Sequence, residues 1–215
     1  MTGVNQAGGG SEPVVFIVDD DQPLRDALKR LFRTVGLRTE VFGSAAELLE
    51  AKLPDAPGCL VLDVRLPGVS GLDLQGDLAR LDIRLPIIFM TGHGDIPMSV
   101  RAMKAGAIDF LSKPFRDQDM LDAVASAIDK DRVRRKRDDT LVSLRALFDS
   151  LTSREREVMT LVTAGLMNKQ VAHELGLSEI TVKIHRGSVM KKMGAKSLAD
   201  LVKMAETLQI SRPRP

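Results

Sequence analysis

Short, unbroken apolar runs, each followed by a polar side chain and then by a helical period, recur through the first 128 residues. They set the fold. Val14–Val18 is the first of them. A strand that is apolar at consecutive positions has to be buried on both faces, as in parallel sheets covered by helices. Behind it, Leu24, Ala27, Leu28, Leu31, Phe32 and Val35 follow a 3.6-residue period, and Gly36 stands where a helix C-terminus favours glycine. Arg38–Phe42, Cys59–Leu62, Pro86–Met90 and Ile108–Leu111 repeat the strand pattern. Ala45–Lys52 behind a Ser44 cap, Leu72–Leu81, Met98–Ala105 and a helix opening near Asp117 repeat the helix. Five strands alternating with five helices predict an α/β unit with a doubly wound five-stranded parallel sheet.

In such sheets, ligands bind beyond the carboxyl ends of the strands. Asp19, Asp20 and Asp21 follow the first strand, Asp63 the third, Thr91 and Gly92 the fourth, and Lys113 and Pro114 the fifth. Carboxylates brought to one point repel unless a hard cation joins them. Mg²⁺ takes oxygen ligands and is often shared with a phosphoryl group. Asp63 is then a candidate nucleophile, with Lys113 and the Thr91 hydroxyl available to phosphoryl oxygens. A dinucleotide-binding turn is excluded, because the first strand ends in three aspartates instead of a glycine-rich loop.

Charge divides along the chain. Residues 1–128 carry a net −5, residues 129–149 a net +2, and residues 150–215 a net +5. Such asymmetry points to an acidic module joined to one that meets a polyanion. The run from Asp129 to Asp139 reads as a solvated helical linker, with Leu121, Val124, Ile128, Val133, Leu141 and Leu144 as an intermittent stripe. Residues 1–12 and 211–215 read as tails. One cysteine, Cys59, excludes an internal disulfide and a cysteine-built metal centre. No early apolar run is long enough to span a bilayer, and no secretory signal is visible. The expectation is a cytoplasmic protein without a membrane partner.

In the basic portion, Thr152-Ser153-Arg154-Glu155 forms a capping box. Asn168 is a candidate cap for a short helix to Leu175, and Gly176-Leu177 makes a tight turn. Ser178 caps a helix to about Met193. That is a helix-turn-helix pattern. On the last helix Val182, His185, Val189 and Met193 share a face suited to burial. Lys183, Ile184, Gly187 and Lys191 lie opposite, flanked by Arg186 and Lys192. A basic stripe on the exposed side of a second helix suits the major groove of double-stranded DNA.

Val18-Asp19-Asp20, the stretch Leu62-Asp63-Val64-Arg65-Leu66-Pro67-Gly68, Met90-Thr91-Gly92-His93-Gly94-Asp95 and Lys113-Pro114-Phe115 resemble the CheY-like receiver domain of bacterial response regulators, over about residues 13–128. The threonine–histidine motif is similar to the FixJ-type subgroup. The resemblance implies that Asp63 accepts phosphate from a sensor histidine kinase. Asp19, Asp20, Asp63 and the backbone carbonyl of Arg65 would hold Mg²⁺, and Thr91 and Lys113 would sense the phosphoryl group. It also implies an aromatic switch at Phe110, a loop at His93 that tunes dephosphorylation, and a dimer surface over Met98–Lys113. An acid two residues past the nucleophile, needed by haloacid-dehalogenase-type phosphatases, is replaced by Arg65.

Leu151-Thr152-Ser153-Arg154-Glu155, Asn168-Lys169-Gln170-Val171-Ala172 and Ser178-Glu179-Ile180-Thr181-Val182-Lys183-Ile184-His185 resemble a LuxR-type DNA-binding domain over about residues 148–210, behind a linker at 129–147. The resemblance implies base contacts from Lys183 and Ile184 and phosphate contacts near Lys169 and Thr181. Where some relatives place a basic base-reader, this chain has Gly187, which leaves Arg186 or Lys191. The expected whole is a transcriptional regulator of the FixJ/NarL type. It is not a dedicated enzyme, although the receiver could catalyse its own phosphorylation and dephosphorylation. It would dimerise when phosphorylated, bind promoter DNA and be able to contact RNA polymerase. The alternatives are a phosphoryl relay, or a regulator independent of phosphate, whose C-terminal domain serves mainly to dimerise.

Overall fold

The computed structural model describes residues 11–92 and 96–210. Two compact units divide after Arg135.

In the first unit, β1 (Val14–Val18), β2 (Arg38–Phe42), β3 (Gly58–Asp63), β6 (Ile87–Thr91) and β7 (Asp109–Ser112) form a parallel sheet in the order β2-β1-β3-β6-β7. Between them run α1 (Gln22–Thr34), α2 (Ala45–Glu50), α3 (Gly71–Arg80) and α4 (Ile96–Lys104). The predicted elements are all present, most with ends shifted by one or two residues. Side chains alternate across the sheet. Phe16, Leu60, Leu62 and Phe89 pack on one face with α2, α3 and α4. Val15, Ile17, Val61, Ile88 and Met90 pack on the other with Leu28 and Phe32 of α1 and with the start of α5 (Asp117–Asp149). Burial on both faces explains why these strands read as unbroken apolar runs.

A small antiparallel hairpin, β4 (Arg65–Leu66) with β5 (Val69–Ser70), follows Asp63 and was not legible in the sequence. Gly68, at φ +82°, turns it.

The charged run after Ile128 is helical throughout, because α5 extends for 33 residues. It is not simply solvated. Asp131 is buried, and Arg134 and Arg135 both bond to it. Its apolar stripe is interrupted, with Val133 and Leu141 exposed.

The second unit holds α6 (Ser153–Thr163), α7 (Asn168–Leu175), α8 (Glu179–Met193) and α9 (Leu198–Thr207). The capping box at Thr152 and Glu155 forms. Val158, Val162, Val171 and Val182 make one small core, and Met159, Val189, Met193 and Leu201 another. Helix α9, behind the Ser197 cap, went unread in the sequence. Two expectations need correction. Met167, not Asn168, is the N-cap of α7, because the Asn168 side chain is bonded elsewhere. His185 is only half-buried on the packed face of α8.

Candidate functional site

Strand register assembles the acidic site. Val18 pairs with Leu62, so Asp19 leaves the sheet level with Asp63. Asp63 pairs with Met90, and Thr91 follows. Thr91 pairs with Ser112, and Lys113 follows. Asp19 and Asp63 thus leave β1 and β3 at one level, and Thr91 and Lys113 each stand one residue further out on β6 and β7, beyond the carboxyl strand ends where α/β sheets bind ligands.

Asp19 is 0% exposed and Asp63 8%, while Asp20 is open to solvent. One carboxylate oxygen from each lies within 4.8 Å of the other two. The Lys113 ammonium donates to Asp19 Oδ2 at 2.6 Å and to Asp63 Oδ2 at 2.9 Å. Backbone amides hold the opposite oxygens: Asp21 N–H donates to Asp19 Oδ1 at 2.8 Å, and Arg65 N–H to Asp63 Oδ1 at 3.1 Å. Burial pushes the Asp19 carboxyl above its ordinary range, against the opposing pull of Lys113. Burial alone would lower the Lys113 ammonium, but its hydrogen bonds to Asp19 and Asp63 and their charge more than reverse this and raise it.

Thr91 is buried, and its carbonyl accepts from Lys113 N–H at 2.6 Å. The register therefore ties the fourth and fifth strand ends together at the site. Gly71 is required there: a Cβ at this position would sit 2.5 Å from the Asp63 carbonyl oxygen, and its N–H bonds Val64 O at 2.8 Å. Phe110 is half-buried, with its ring 6.4 Å from that of Phe89 at a tilt of 46°. His93, Gly94 and Asp95 lie outside the described residues, as do residues 1–10 and 211–215. An open groove of about 760 Å³, lined largely by Leu24, Ala27, Leu31, Pro114 and Phe115, borders Lys113.

The donor set fits a divalent cation. Three carboxylates with a single ammonium between two of them leave two formal negative charges on hard oxygen ligands. Cys59 takes no part. It is fully buried, and burial, aided by the charge of Asp131, pushes its thiol up to about 12.

The second candidate surface is α8. Gly176, at φ +65°, turns the chain out of α7, and the Ser178 hydroxyl caps α8 by accepting from Thr181 N–H at 3.1 Å. Two polar ties hold α8 down: Lys192 to Glu155 Oε2 at 2.7 Å and Arg186 to Asn168 Oδ1 at 3.0 Å. Arg186 therefore faces α7, half-buried, rather than standing beside Lys183 in the open. Lys169, Lys183, Ile184, Gly187 and Lys191 are exposed, and Thr181 is half-buried beside Ser178. The sequence reading missed Ile180, which protrudes one turn before Ile184 and could have been found by extending the helical stripe backward.

Among the described residues, no helix is long and apolar enough to cross a membrane.

Comparisons with known proteins agree with this architecture. Residues 15–125 match the response regulator receiver domain, and residues 149–205 match the bacterial regulatory proteins of the luxR family. Nodulation protein W of Bradyrhizobium diazoefficiens is 63% identical, covering 94% of this chain and 88% of that protein. The transcriptional regulatory protein FixJ of Rhizobium meliloti is 44% identical over 89% of this chain and 94% of its own. The solved structure of the response regulator StyR, 49% identical, superposes with a TM-score of 0.81 over 91% of this chain and 99% of that one. The matches to these three relatives cover 88%, 94% and 99% of their own lengths and span both units of this chain. The chain belongs to the two-component response regulators that couple a receiver to a LuxR-type DNA-binding domain.

Proposed function

We propose that Asp63 is the phosphoacceptor of this regulator, that a sensor histidine kinase is the donor, and that phosphorylation controls dimerisation and promoter binding. The carrying observation is the Lys113 ammonium lying between the buried Asp19 and Asp63 carboxylates. An Asp63 oxygen attacks phosphorus, the bond from phosphorus to the donor imidazole nitrogen breaks, and the electron pair leaves with the imidazole. Lys113 follows the transferred group, and the Thr91 hydroxyl donates to it. Asp19, Asp20, Asp63 and the Arg65 carbonyl hold Mg²⁺, which neutralises phosphoryl oxygens when bound. The apolar groove beside Lys113 offers the donor protein a seat next to the nucleophile.

Phe110 of β7, packed on Phe89 of β6, relays the state of Lys113 to the Met98–Lys113 surface, where two phosphorylated copies pair. The functional modules are residues 13–128 and 148–210, with 129–147 between them. Lys183 and Ile184 read bases, Lys169 and Thr181 meet phosphates, and Lys191 supports one of these roles. Arg186, bonded to Asn168, positions α8 beside the DNA, and the open space around Gly187 leaves room for close approach. RNA polymerase is the downstream partner at an activated promoter, and the receiver catalyses its own dephosphorylation. The setting is the cytoplasm.

Acetyl phosphate labelling tests the acceptor. Wild type is expected to label only with Mg²⁺ present, and Asp63→Asn not at all. Labelling of Asp63→Asn at the wild-type rate overturns the assignment.

A further inference from the structure

Ile180 is the most exposed large apolar side chain among the described residues, at 75%, and Ile184, one turn on, is 63% exposed. Solvated β-branched side chains of this size are uncommon as neighbours, and a contiguous apolar strip marks a surface that something covers. At 100° per residue, Ile180, Ile184, Gly187 and Lys191 fall on one narrow stripe of α8, with Lys183 at its edge. The stripe is opposite Val182, Val189 and Met193, which hold the helix to the core. Gly187 has nothing within 4 Å of where a Cβ would be. The stripe is therefore apolar at its N-terminal end, bare in the middle and cationic at its far end.

A duplex matches this sequence of chemistries. The N-terminal residues of a recognition helix are the ones that meet base edges. In the major groove, the one apolar feature of a base edge is the thymine 5-methyl group, which aliphatic side chains contact. Lysines at Lys183 and Lys191 surround the apolar pair with charge suited to DNA and ill suited to an apolar protein face. Resting on the DNA-binding role proposed above, in which Ile184 already reads a base, we infer that Ile180 is a further specificity residue and that it packs, beside Ile184, on thymine methyl groups in each half-site. Gly187 lets the helix approach closely enough for both to reach. Ile180 then contributes discrimination without a hydrogen bond, and the preferred half-site carries thymine at one or two fixed positions beside the base contacted by Lys183.

The test uses the full chain, phosphorylated with acetyl phosphate, and a duplex selected by it from random DNA. Each thymine is replaced in turn by deoxyuridine, which removes only the methyl group. At one or two positions per half-site, the replacement is expected to weaken wild-type binding about fourfold, the worth of one buried methylene. Ile180→Ala or Ile184→Ala is expected to weaken the thymine duplex by a similar factor and to abolish the response to deoxyuridine at its own position. Both side chains are exposed and alanine favours helix, so the variants keep the fold. The slope of log affinity against log salt should not change, because no phosphate contact is lost. Wild-type binding indifferent to every deoxyuridine overturns the inference, as does a response that persists unchanged in both variants. A chain that selects no sequence at all overturns the DNA-reading role itself, a failure distinguishable from the other two.

Discussion

Asp131, in the charged stretch of α5, accepts a hydrogen bond at 3.1 Å from the backbone N–H of Gly58, 73 residues earlier in the chain. Gly58 opens the strand that Asp63 closes. The Asp131 side chain is 0% exposed, and its two oxygens also accept from Arg134 Nη2 at 2.6 Å and Arg135 Nε at 2.8 Å, while Arg135 reaches on to Asp55. A sequence run that reads as solvated charge thus contains a buried acid that pins α5 to the base of the central strand.

Removing that acid leaves a buried N–H without its acceptor and takes a buried carboxylate partner from both Arg134 and Arg135. Asp131→Ala is expected to destabilise the receiver by about 3 kcal/mol. Urea unfolding followed by the receiver signal checks it. A change under about 0.5 kcal/mol, within the range of surface substitutions, would show that the buried network contributes nothing.

Lys113→Ala should separate phosphorylation from its consequence. Asp63 keeps its backbone N–H partner at Arg65 and should still take up phosphate. The gain in DNA affinity on phosphorylation should fall about tenfold, within the usual range of coupling between sites. Labelling and DNA titration on one sample give both numbers, and a variant that labels and still responds like wild type removes Lys113 from the switch.

A base contact specifies and a phosphate contact positions. Lys183→Ala is expected to cost about 1–3 kcal/mol on the preferred site and to relax base preference at one position. Lys169→Ala should weaken all sequences alike and make the salt slope shallower by about one. Titrations on operator variants at several salt concentrations check both. Equal losses on preferred and scrambled DNA for Lys183→Ala would make it a phosphate contact.

Glu155 stands below the ordinary glutamate range because Lys192 bonds to it and, next, because Thr152 N–H does. A depressed carboxyl in the folded state contributes stability above its unfolded value of 4.5 and loses it as the pH falls further through the depressed value. The hydrogen-bonded α6–α8 contact should therefore weaken below about pH 4.5. Glu155→Gln should flatten that acid limb while lowering stability at neutral pH. Amide exchange in α6 and α8 across the acid range measures it, and an acid limb identical to wild type would assign the pH dependence to other carboxylates.

The sequence by itself determined the sheet and the site, because both are written locally. Apolar runs buried on two faces mark the strands, and the acids, threonine and lysine fall at strand ends that a parallel sheet must bring together. The caps at Ser44, Thr152, Ser178 and the turn at Gly176 are equally local, since a cap bonds residues two or three positions away. Tertiary structure alone decided what depends on distant partners. Asp131 differs from Asp129 and Asp139 only because Gly58 arrives beside it. Arg186 donates to Asn168 at 3.0 Å because the packing of α8 against α7 brings together two residues 18 positions apart. The β4–β5 hairpin has only two residues per strand, too few for a period to register. Ile180 stands 75% exposed because Val182 and Val189, on the opposite side of α8, are the residues that pack into the core. A side chain's chemistry is local, but its exposure is set by what the rest of the chain packs against it.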